Sequence, residues 1–101
     1  MKIKKAPADM TENLKSVLIR YKAKPYLPFW GELFVITQEL KTYAKQVDTN
    51  VHFYSSFGSS PILYLSDKDS FLVQAKGLSI KLSQHAFIDS LIAGRFWPND
   101  I

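Results

Sequence analysis

Cysteine is absent from the 101 residues of this chain. Its absence excludes a disulfide framework, a thiolate nucleophile and any cysteine-ligated metal site. It also fits a reducing compartment. Glycine occurs four times, at positions 31, 58, 77 and 94. That scatter is too wide for a local glycine-rich loop to cradle a phosphate. Histidine occurs twice, as His52 and His85, and no Gly-x-Ser-x-Gly elbow is present. Long hydrophobic runs are missing as well. The longest, Leu33-Phe34-Val35-Ile36 and Ile62-Leu63-Tyr64-Leu65, hold four residues each, far short of the ~20 that a membrane-spanning helix needs. The start is basic (Lys2, Lys4, Lys5), but Asp9, Thr11, Glu12 and Asn13 follow it instead of an apolar stretch. An unprocessed cytoplasmic chain with no membrane association is therefore expected.

What is present is ordinary in amount and uneven in placement. Apolar residues make up 47% and charged residues 22%, the balance of a soluble globular domain. One domain spanning 1–101 is expected, with 1–10 as a flexible basic arm. The formal charge is +4. Residues 1–24 hold seven Lys or Arg against Asp9 and Glu12, whereas residues 25–101 hold six against seven acids. The whole positive excess thus lies in the first quarter of the chain.

Periodicity divides the chain near position 50. Thr11 is a candidate helix cap, and Leu14, Val17, Leu18 and Tyr21 follow at helical spacing. Pro25 bounds that helix. Residues 25–30 read as a stiff aromatic connector. A second helix is predicted from about Gly31 to Val47, with Leu33, Ile36 or Thr37, Leu40, Tyr43 or Ala44, and Val47 on one stripe. Leu33 to Thr37 alone also reads as a buried strand. After Asp48-Thr49-Asn50 the apolar period becomes two. Val51, Phe53, Ser55 and Phe57 alternate with His52, Tyr54 and Ser56. Ile62–Leu65, Phe71–Ala75 and Leu78–Leu82 read as three further strands, joined by turns at 58–61, 66–70 and 76–77. Ser83 caps a last helix of about Gln84 to Ala93, and Gly94 stops it. The expected fold class is α+β: two N-terminal helices, a four-stranded antiparallel meander and a C-terminal helix packed on one sheet face.

No catalytic constellation emerges, and a non-enzymatic role is expected. Ser55 to Ser60 reads as a hairpin connection. Asp67-Lys68-Asp69 lacks the further acids, glycine and distant glutamate of a calcium loop, so it reads as a turn. No metal site and no cofactor are predicted. Two clusters invite function. The doublets Phe29-Trp30 and Phe96-Trp97 stand at element boundaries in a chain that is 14% aromatic. Aromatic surfaces mark protein interfaces, and self-association as a homodimer through these rings or a sheet edge is the leading expectation. Other protein partners would fit the same surface. The alternative is nucleic-acid binding by Lys2, Lys4, Lys5, Lys15, Arg20, Lys22, Lys24 and Tyr26, lysine and arginine meeting phosphates while the ring stacks on a base. A third reading is a small-ligand pocket lined by Trp30, Tyr43, His52 and Tyr54, rings with polar tips.

Overall fold

The computed structural model describes residues 3–24, 28–53, 62–75 and 78–93. Along these the order is β1 (Ile3–Lys5), α1 (Ala8–Ala23), α2 (Pro28–Val47), β2 (Asn50–Phe53), β3 (Ile62–Leu65), β4 (Ser70–Ala75), β5 (Leu78–Leu82) and α3 (Gln84–Ile92). The strands form one sheet in the order β1-β2-β3-β4-β5. From β2 onward every neighbour is antiparallel, as the meander predicted. The α+β class holds.

The sheet has five strands rather than the expected four. Ile3–Lys5 pairs parallel with β2, and the Ala6 amide extends the ladder by donating to the His52 carbonyl at 2.9 Å. The stretch expected as an arm thus supplies a strand and the first turn of a helix. Three residues reading Ile-Lys-Lys carry no apolar alternation, so only the partner strand reveals them. Two helix starts also move. α1 begins at Ala8, and Thr11 is not its cap. The Thr11 hydroxyl instead donates back to the Pro7 carbonyl at 3.5 Å. α2 begins at Pro28, so Phe29 and Trp30 lie in its first turn instead of a connector. Proline suits a first helical turn because its φ is already helical and its missing N–H has no partner there. Ser83 does cap α3, accepting from the Ala86 amide at 3.3 Å.

Alternation fixes which sheet face is covered. Val51, Phe53, Ile62, Tyr64, Phe71 and Val73 are buried under α2 and α3. α1 packs on α2 through Leu14, Val17 and Leu18. The core centre is aromatic: Phe71 stacks on Phe87 of α3 at 4.7 Å between centroids, and Phe53 meets both rings edge-on. Each ring so buried contributes roughly 1.5–3 kcal/mol of transfer free energy.

A chain of polar contacts closes one end of this core. Tyr64 donates its hydroxyl to Asp69 at 2.7 Å, and Lys41 pairs with the same carboxylate at 2.9 Å. Lys41 also donates to the Gln84 side-chain carbonyl at 3.5 Å, and the Gln84 amide donates to Thr37. Thr37 and Gln84 are buried polar residues that partner one another, as burial requires. Burial, and after it the acceptor Asp69, push the Tyr64 hydroxyl above its ordinary value of 10. Tyr64 and Lys41 hold the Asp69 carboxyl below its usual range.

Candidate functional site

An amphipathic helix rotates by about 100° per residue, so a run of four apolar residues cannot all face the core. Leu33 and Ile36 of α2 are buried, and Val35 is forced to the far side, 54% exposed. Phe34 lies between them, half-buried at the edge of the core. Together with Gln38, Glu39, Thr42, Tyr43 and Gln46 these two residues line an open groove of about 500 Å³ along α2. Met10, from the first turn of α1, closes one wall.

The groove continues into a ring cluster at the start of α2. Trp30 stacks on Phe34 at 5.6 Å between centroids and 15° between planes. His85, in the first turn of α3, tilts against Trp30 at 5.1 Å. The Trp30 indole donates to Asp89 at 2.9 Å, which fixes its rotamer across the two helices. The result is a rigid aromatic rim beside an apolar trough. Rings and Met are the residue types that carry binding energy in protein interfaces, because they bury much area with few rotatable bonds.

The candidate residues distribute unevenly over the described fold. Trp30 and Tyr43 lie on this one surface, linked through Phe34. His52 lies elsewhere, on the sheet face away from α2 and α3, so it shares no pocket with them. Phe29 is 3% exposed and belongs to the core, with Tyr21 edge-on to it at 6.1 Å, so it offers no surface to a partner. Tyr54, Phe96, Trp97, Lys2 and Tyr26 lie outside the described residues.

Among the described residues, the basic side chains are spread over β1 and α1. Strand alternation sends Lys4 and Lys5 to opposite faces of the sheet. Lys15 and Lys22 are exposed on α1, and Lys24 is its C-cap. Arg20 is already engaged: it pairs with Glu32 of α2 and lies over the Phe29 ring at 5.6 Å.

Sequence reading missed Met10, Phe34 and Val35. The available signal was the apolar run itself, since its members off the buried stripe must face out or sideways. Asp67, Asp69, Lys41, Lys45, Asp48 and Tyr64 border a second cleft, of about 480 Å³, at the polar end of the core. Asp69 is committed there to Tyr64 and Lys41. Among the described residues no helix is long and apolar enough to cross a membrane. Compared with protein families, curated proteins and solved structures, the chain shows no significant match to any.

Proposed function

We propose that this chain is a non-enzymatic, cytoplasmic interaction module that self-associates as a homodimer through the outer face of α2. The observation that carries it is the order of side chains along the groove. Phe34, Val35 and Gln38 run toward the helix centre in the same chemical order as Tyr43, Thr42 and Glu39 run from the other end. Each series goes ring, small β-branched side chain, polar side chain. A second copy of α2 laid antiparallel therefore sets Val35 against Thr42 and Gln38 beside Glu39, with Phe34 and Tyr43 flanking the seam on its two sides. A two-fold dimer needs such a self-complementary patch. Gly31, at the exposed start of this face, has nothing within 4 Å of where a Cβ would stand. The Trp30–Phe34–His85 rim supplies a preorganised wall.

The missing cysteine makes a clean test. In the antiparallel pairing, Val35→Cys combined with Thr42→Cys places each new thiol opposite its counterpart in the other copy. A disulfide requires Cα atoms within about 7 Å. The two positions are about 10 Å apart along their own helix, so the bond forms only between copies. Mild oxidation is expected to convert the double variant to a covalent dimer while Val35→Cys alone stays largely uncrosslinked. Efficient crosslinking by Val35→Cys alone would indicate a parallel or unrelated contact and refute the pairing.

A further inference from the structure

The second apolar run of the sequence obeys the rule of the strand as the first obeys that of the helix. Ile62 and Tyr64 face the core, so Leu63 and Leu65 must face the other way. The strand registers carry this outward row across the whole sheet. Lys5 neighbours His52, His52 neighbours Leu63, Leu63 neighbours Leu72, and Leu72 neighbours Lys81. The row is thus lysine, histidine, two leucines, lysine, with its end residues about 19 Å apart at the usual strand spacing.

Ile3, His52, Leu63, Leu72 and Gln74 enclose a cavity of about 230 Å³ at the centre of this face. Ile3, at its edge, is 52% exposed. None of the outward-facing positions on the described strands is acidic. Two side-chain atoms of this face, His52 Nε2 and Ser70 Oγ, are buried with no hydrogen-bond partner. Native proteins seldom leave such atoms unpaired.

From this row and cavity we infer that the sheet face away from α2 and α3, which no described element covers, docks an acidic, amphipathic segment of another protein, seating one apolar side chain in the cavity and carboxylates beside Lys5 and Lys81. Charge complementarity selects that occupant. A second copy of the same face would oppose lysine with lysine and supply no acid. Single-stranded nucleic acid binds by stacking on rings, and the described outward positions hold none beyond the His52 imidazole. A bilayer surface meets protruding apolar side chains, whereas the apolar centre here is concave. Burial and Lys5 both disfavour a charge on His52, so the cation that meets a partner carboxylate at that end is Lys5.

The test is an isotope-labelled titration of the full chain, followed by amide chemical shifts. The probe is a synthetic 18-residue helical peptide with leucines on one face and glutamates on the other. Comparison probes are the same peptide with lysine for glutamate, an oligouridylate and phosphatidylglycerol vesicles. The acidic peptide is expected to shift the amides of His52, Leu63 and Leu72 and to bind more weakly as salt rises. The exposed double variant Lys5→Glu with Lys81→Glu should weaken it about tenfold or more. The inference is overturned if those amides stay still, if the lysine peptide binds as well, if the charge reversal changes nothing, or if the oligonucleotide or vesicles bind this face more tightly.

Discussion

His52 shows how one side chain reports on its surroundings. It stands in β2 between Lys5 and Leu63, half-buried, with Nε2 unpaired. Burial first, and Lys5 second, push its pKa below the ordinary 6.5. The sign of the consequence follows from proton linkage. Between the folded and unfolded pKa values the unfolded chain holds more protons, so stability rises with pH across that interval. The stability conferred by a neutral His52 is fully present above 6.5 and is lost as pH falls through the lowered folded value. Thermal melts taken from about pH 7.5 down to about pH 5.5 should therefore fall further for the native chain than for His52→Leu. Equal falls would show that His52 does not titrate as its setting implies.

At the scale of elements, the junctions carry the strain and the apolar runs carry the surfaces. α2 hands over to β2 at Asp48, whose φ is +52°. That left-handed conformation crowds a Cβ and costs roughly 1 kcal/mol outside glycine. Asp48→Gly should raise stability by roughly 0.5–1 kcal/mol in denaturant melts, and a loss of stability would mean that the Asp48 side chain holds the junction. Such junctions explain what sequence could and could not show. The change of period at residue 50 located α2, β2 and the meander, because each buries a regular stripe. β1 left no trace, because its three residues are exposed and only their pairing with β2 defines them. The start of α2 was hidden by Pro28, which serves equally in connectors and first turns. The core role of Phe29 was hidden with it. Of the surfaces, Trp30 and Tyr43 were legible as rings with polar tips. The groove that Tyr43 lines and the Trp30 ring borders depended on Phe34 and Val35, which look like core until the helix phase is fixed by Leu33, Ile36 and Leu40.

The whole molecule has two unlike faces on opposite sides of its sheet. On the helical side, the α2 groove offers rings and Val35 in an order that matches itself when reversed. On the other side, the row from Lys5 to Lys81 offers aliphatic side chains between cations and suits an acidic partner. A dimer joined through α2 would point both open sheet faces outward, leaving each free to engage a separate segment. The formal charge of +4 then doubles on assembly without placing the β1 and β5 lysines at the dimer seam. Light scattering coupled to size exclusion tests self-association most directly. The native chain is expected to run at twice 11.6 kDa at micromolar concentration, and Val35→Glu, which buries a carboxylate at the seam, to run at 11.6 kDa with an unchanged fold. A native chain that stays at 11.6 kDa through the high micromolar range, or a Val35→Glu variant that remains a dimer, would contradict the account.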